Sequence, residues 1–157
     1  MEEFKYIIFQ LGDQKYAINL MFINGIEQDY VIIPVPNAPG AIKGIINLRG
    51  SVIPVYSLRA RFGMSDRIDN PSKSLLIVNY DDNLVAYEVD CVEGIEQMNP
   101  KDINRMPSMA STEETSFMEE VLHIGNDIVI AISVDEVISD EMQQKLNEIV
   151  TNQNNEG

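Results

Sequence analysis

The chain has 157 residues, 45% of them hydrophobic, which suits one compact domain or two small half-domains sharing a core. Its 25 acidic residues against 11 basic ones give a net charge of -14. That charge works against nucleic acid, whose affinity comes largely from cationic side chains that displace counterions, and against an anionic membrane surface. The opening "MEEFKYIIFQLG" has acids where a signal peptide needs positive charge, and no apolar run approaches the roughly 20 residues of a spanning helix. A cytoplasmic protein without direct membrane insertion is therefore expected.

In chain order, "YIIFQLGDQKYAINL" reads as an apolar strand, a Gly-Asp-Gln turn and a strand in which Tyr16, Ile18 and Leu20 alternate with polar residues, hence a hairpin. "DYVIIPVP", "GIINLRG" and "SVIPVY" follow as short β-rich runs, with Pro34 and Pro54 expected at edges or strand ends. Leu58 to Phe62 predicts one helical turn that Gly63 ends. "SLLIVNYDDNLVAYEV" is a second hairpin and "VLHIGNDIVIAISV" a third. The intervening "MNPKDINRMPSMASTEETS", with two prolines, reads as a long connection. Ser139 is placed as the N-cap of a C-terminal helix over 139–150, with Met142, Leu146, Ile149 and Val150 on one face, and 151–157 as a frayed polar tail. The fold class is mainly all-β, in barrels or sandwiches.

The chain also repeats itself. "GIEQ" stands at 25–28 and again at 94–97, an offset of 69 (94 minus 25). With that offset Ile8 falls on Ile77, Phe9 on Val78, Asp13 on Asp82, Ala17 on Ala86 and Leu20 on Val89. An offset of 76 (128 minus 52) sets Val52 on Ile128, Ile53 on Val129, Ser57 on Ser133 and Leu58 on Val134. Ordered matches at both ends of a unit predict two similar small β-barrels in tandem, 7–64 and 76–138, packed on each other because each alone has too small a core.

Catalytic chemistry finds little support. The one histidine, His123, alternates with Leu122 and Ile124 as a polar-face strand residue, and one His and one Cys cannot build a metal cluster. Cys91, in "EVDCVEGI", reads as a small buried hydrophobe. Asp81 and Asp82 suit a hairpin turn better than a cation loop. Gly40, Gly44 and Gly50 lack the Gly-Lys-Ser/Thr and the long helix of a phosphate loop, and Ser51 lacks a nucleophile elbow. No catalytic residue, cofactor or metal site is expected.

One feature stands apart from the overall charge. Between Tyr30 and Ser65 there is no Asp or Glu, while Lys43, Arg49, Arg59 and Arg61 all lie there. Arg59 and Arg61 have room to point outward from a short helix as a solvated face. Arg49 occupies a hairpin turn, "NLRG", where Asn, Asp or Gly is usual, so its guanidinium is placed to reach across a surface. A cation in an acid-free patch of an anionic protein helps to orient an acidic partner.

Taken together, "YIIFQLGDQKYAINLMFINGI", "IPVPNAPGAIKGIINLRGSVIPVYSLRARFG" and "LLIVNYDDNLVAYEVDCVEGI" resemble the CheW family of bacterial chemotaxis coupling proteins, most specifically through Pro39 to Gly63. The resemblance implies two SH3-like five-stranded barrels and no enzymatic activity. It implies an adaptor between the cytoplasmic tip of chemoreceptors and the regulatory domain of the histidine kinase CheA, within membrane-associated receptor arrays. It places receptor contacts on Ile23, Gly44 and Arg49; Lys43, Arg59 and Arg61, from the basic stretch itself, are candidates for a polar rim around them. Gly25, Tyr56 and Ser57 depart from the family pattern, and "EEVLHIGND" lacks the glycine that commonly precedes the penultimate strand. A scaffold paralogue serving another sensory kinase assembly is the alternative reading.

Overall fold

The computed structural model describes residues 4–38, 40–65, 73–80, 82–107 and 117–137. The described strands are β1 (Lys5–Leu11), β2 (Gln14–Asn19), β3 (Ile23–Glu27), β4 (Ile42–Leu48), β5 (Ser51–Ser57), β6 (Ser74–Tyr80), β7 (Asn83–Val89), β8 (Cys91–Gln97), β9 (Ile103–Arg105), β10 (Met118–Ile124) and β11 (Asp127–Ile132). Two single-turn helices, α1 (Leu58–Arg61) and α2 (Val134–Val137), follow β5 and β11. The helix expected over 139–150 and the tail 151–157 lie outside the described residues.

The strands form two sheets, one ordered β8-β1-β2-β11-β10-β9 and the other β3-β6-β7-β5-β4, which are two SH3-like barrels. The repeat is visible in the strand bounds themselves. Adding 69 to the bounds of β1 gives those of β6, and adding 76 to the bounds of β4 and α1 gives those of β10 and α2. Under this mapping the five-strand order β3-β6-β7-β5-β4 becomes β8-β1-β2-β11-β10, to which β9 adds a sixth strand, and even the parallel pairs agree: Val55 faces Ala86 between β5 and β7, and Ala131 faces Ala17 between β11 and β2.

The sheets do not coincide with the stretches 7–64 and 76–138. The hairpin β1–β2 joins the barrel made by β8 to β11, while β6–β7 joins the barrel made by β3 to β5. Each stretch lends its first hairpin to the other, so the expected tandem order is corrected to a reciprocal exchange. The physical reason lies in burial on two faces. Along β1, Tyr6 and Ile8 fill the interior of one barrel while Ile7, Phe9 and Leu11 point into a core common to both; β6 does the same with Leu75 and Ile77 inside and Leu76, Val78 and Tyr80 outward. Strands covered on both faces read as unbroken apolar runs, as "YIIF" and "LLIV" do.

Local chemistry explains the details. Pro54 sits within β5, an interior strand, against the expectation of an edge or strand end. The ladder to β7 begins only at Val55, so no N–H of residue 54 is needed there. Pro34 does terminate pairing: Ile33 exchanges two backbone hydrogen bonds with Ile45, at 2.8 and 2.9 Å, and the strap of chain stops. Ser57 caps α1, its Oγ accepting from the Ala60 N–H at 3.1 Å. Part of the connection after Gln97 is ordered, since β9 pairs with β10 through Ile103, Asn104 and Arg105.

Hairpin exchange makes each half incomplete. Chain cut between Asp69 and Ser74 is expected to yield two fragments that are largely unfolded apart and that recover the native circular-dichroism and amide spectra on mixing. Two separately folded fragments would contradict the shared core.

Candidate functional site

Three of the four cations in the acid-free stretch are committed inside the molecule. Arg59, on α1, is only 8% exposed and clasps Asp90, 7% exposed, with Nε to Oδ1 at 2.6 Å and Nη2 to Oδ2 at 2.7 Å. Its Nη1 donates to the Ser65 carbonyl at 2.7 Å. Asp90 lies where the chain passes from β7 to β8, from one barrel to the other, and also accepts from the Gly12 N–H at 2.8 Å. The polar-rim placement of Arg59 is thus corrected: it is a buried clasp at the crossing, because a guanidinium can satisfy both carboxylate oxygens and a carbonyl at once.

Lys43 is committed likewise. Its Nζ lies 2.7 Å from Oε1 of Glu88, a 5% exposed carboxylate that also accepts from the Tyr30 hydroxyl at 2.8 Å and has Lys73 Nζ at 3.7 Å. Arg61 donates from Nε to the Val137 carbonyl at 2.8 Å and stacks its guanidinium 4.8 Å from the Phe117 ring centre, tying α1 to α2. Each of these cations meets a partner from the second repeat, and for Lys43 and Arg59 that partner is the carboxylate their own stretch lacks.

Arg49 is different. Its side chain is 84% exposed, and its closest carboxylate, Glu27 Oε1, stands at 3.9 Å. Arg49 and Gly50 form the two-residue turn between β4 and β5, with φ of 52° and 87°. Such a turn requires positive φ at both positions, which Asn or Gly accepts and Arg resists by about 1–2 kcal/mol. The turn thus displays an exposed guanidinium on a backbone conformation that a side chain disfavours.

Ile23 begins β3, is half-buried, and packs on the common core. Glu27 ends the same strand, roughly 13 Å along it, so the Arg49–Glu27 contact and Ile23 lie at opposite ends of β3. Between β3 and β4 opens a cleft of about 630 Å³ lined by Glu27, Tyr30, Val31, Ile33 and Leu48, with Val31 81% exposed. Gly44 does not open onto a surface groove. It is buried with φ 154°, and a Cβ there would collide with the Ile33 carbonyl oxygen and come within 2.9 Å of Ile32 Cγ2. Glycine lets the Ile32–Ile33 strap lie against β4.

The remaining sequence candidates take ordinary places. His123 is exposed on β10. Cys91 is half-buried and not fully buried as expected, its Sγ 3.6 Å from Gln10 Oε1, and burial pushes the thiol above its usual range. No group of three or more His, Cys, Asp or Glu able to hold a metal occurs among the described residues, and no described helix is long and apolar enough to cross a membrane. The sequence missed the Glu88 and Asp90 clusters. Their signal was "EVD" at the end of an otherwise apolar strand run.

Two SH3-like barrels fused through a common core, with charge pairs at the crossing and an arginine displayed on a turn, define the class of fold. The family comparison agrees: residues 5–142 match the CheW-like domain, and the chain belongs to that family. Among its relatives, "Chemotaxis protein CheW" of Rhizobium meliloti (strain 1021) is 31% identical over 138 residues, covering 88% of this chain and 89% of the relative. That of Treponema pallidum (strain Nichols) is 26% identical over 149 residues, covering 92% and 88%. The crystal structure of the scaffolding protein TtCheW from Thermoanaerobacter tengcongensis superposes with a TM-score of 0.82 at 27% identity, covering 90% of this chain and 96% of that one.

Two substitutions test the geometry. Arg59→Ala takes the two-pronged guanidinium away from the buried Asp90 carboxylate and is expected to lower the urea-unfolding free energy by about 3–5 kcal/mol. Gly44→Ala is expected to cost about 1–3 kcal/mol and to speed amide exchange at Ile33 and Ile45, because the strap must lift.

Proposed function

We propose that this chain is the non-catalytic adaptor that couples chemoreceptors to a CheA-type histidine kinase in bacterial chemotaxis, acting in the cytoplasm at receptor arrays. The observation that carries the reading is the family match spanning both barrels, from residue 5 to 142, in a chain that displays the exposed guanidinium of Arg49 on a positive-φ turn. The receptor surface is assigned to Ile23 and Arg49, with Gly44 acting indirectly by seating the Ile32–Ile33 strap. Lys43, Arg59 and Arg61 hold that surface in shape from within. Receptor tip and kinase regulatory domain take different surfaces, since one shared patch would make the partners compete.

Arg49→Gly separates contact from stability. Glycine adopts positive φ freely, so the variant is expected to melt at or above the wild-type temperature while receptor-stimulated kinase activity falls. A full loss of fold, or unchanged coupling, would remove Arg49 from the contact surface. The function itself is tested by titrating purified protein with a kinase regulatory domain and a chemoreceptor tip fragment. A ternary complex is expected; displacement of one partner by the other would overturn the adaptor.

A further inference from the structure

The two barrels can be compared position by position through the repeat, and their mouths differ in charge. At the first barrel the β4–β5 register slips between Ile42 and Gly44, which makes Lys43 the extra, bulged residue; its ammonium meets Glu88 beside Tyr30 and Lys73. The β10–β11 register slips at the matching place, between Met118 and Glu120, and bulges Glu119. Under the offsets, Lys43 corresponds to Glu119, Gly44 to Glu120, Glu88 to Asn19 and Lys73 to Phe4. The first mouth thus contains its own ammonium on a carboxylate, and the second has carboxylates where the ammonium would stand.

A cleft of about 430 Å³ opens there, lined by Tyr6, Phe22, Ile103, Glu119 and Glu120. The Tyr6 hydroxyl donates to Glu120 Oε1 at 2.9 Å, fixing that carboxylate at the mouth. Phe22 and its neighbour Met21 are 38% and 61% exposed, an apolar margin next to the acids. Partial desolvation, followed by the charges of Glu120, Asp135 and Glu136, holds the Glu119 carboxyl above its usual range, with Arg105 of β9 the cation acting against them. Among the described residues, three carboxylates crowd Glu119 against the one cation Arg105.

We propose that this cleft receives a lysine-bearing amphipathic segment of a partner protein, with the ammonium seated between Glu119 and Glu120 and an adjacent apolar side chain on Phe22 and Ile103. The molecule supplies its own precedent in Lys43 on Glu88. The apolar wall favours a peptide over a bare cation, and the described residues offer no third ligand to complete a metal shell. A second copy is disfavoured by its net charge of -14. This surface stands whichever partners the adaptor reading names.

The test uses full-length, nitrogen-15-labelled protein at about 0.15 M salt, where weak surface attraction is screened. A short amphipathic peptide with two lysines beside a leucine is titrated in, alongside a matched peptide with glutamine for lysine. Saturable shifts confined to Phe22, β9 and β10 are expected for the lysine peptide alone. Glu119→Lys, which puts the first barrel's charge into the second mouth, should weaken binding at least about tenfold, as should Glu120→Gln, while Glu93→Gln on β8 leaves it unchanged. Shifts scattered over the acidic surface, equal loss in Glu93→Gln, equal binding of the glutamine peptide, absence of saturable binding, or shifts that appear with self-association instead would each overturn the proposal.

Discussion

A strand sheathed on both faces has to be apolar at every position, and that requirement on β1 and β6 governs the rest of the molecule. One face of each strand closes a barrel, and the other builds the core in which Phe9, Tyr16, Tyr56, Leu76 and Tyr87 gather from both sheets. Because the hairpins are exchanged, neither barrel can close without strands from the other repeat. The interior is thus shared by construction. Tyr56 and Tyr87, whose rings lie 5.9 Å apart, extend the connection outward by donating from their hydroxyls to the Val137 and Val134 carbonyls of α2. Burial raises the Tyr87 phenol well above its ordinary range, so it remains a neutral donor there.

Charge follows the same path as the strands. Arg59 reaches Asp90 and Lys43 reaches Glu88, each joining a residue before the repeat boundary to one after it. Buried pairs of this kind add little net stability over a well-packed apolar pair, yet losing either member is costly, so they act mainly on geometry. Asp90, bound also to the Gly12 N–H, fixes the point where the chain leaves one barrel for the other. What the sequence displays as a basic island is, in space, dispersed: Lys43 and Arg59 meet carboxylates of the second repeat, Arg61 a carbonyl and a ring, and Arg49 stands exposed on its turn.

Legibility from sequence divided along a physical line. The hairpins and the repeat could be read because alternation and offset are local or one-dimensional: the 69- and 76-residue shifts recover strand bounds to the residue for β1 with β6 and for β4 with β10. Sheet membership could not be read, since a hairpin looks the same whether it closes its own barrel or its neighbour's. Arg49 was recognisable from the turn it violates. The burial of Arg59 and Gly44 was not legible, because it depends on Asp90 and on the Ile33 strap, which only the folded chain brings beside them. The Pro54 expectation failed for a similar reason: a proline is excluded only from the side of a strand that is bonded at that residue.

The exchange of hairpins also bears on how such a chain can change over generations. Two copies of an ancestral unit that had folded side by side could drift independently, or one could be lost. Copies that have traded hairpins are bound to a joint history, because a substitution in the common core is felt by both. Apolar correspondence survives there, as in Phe9 with Val78 and Leu58 with Val134, whereas at the barrel mouths, away from the trade, Lys43 and Glu119 have come to opposite signs. The architecture conserves likeness at its centre and leaves the two ends at liberty to become unlike, which is how a duplicated body acquires direction.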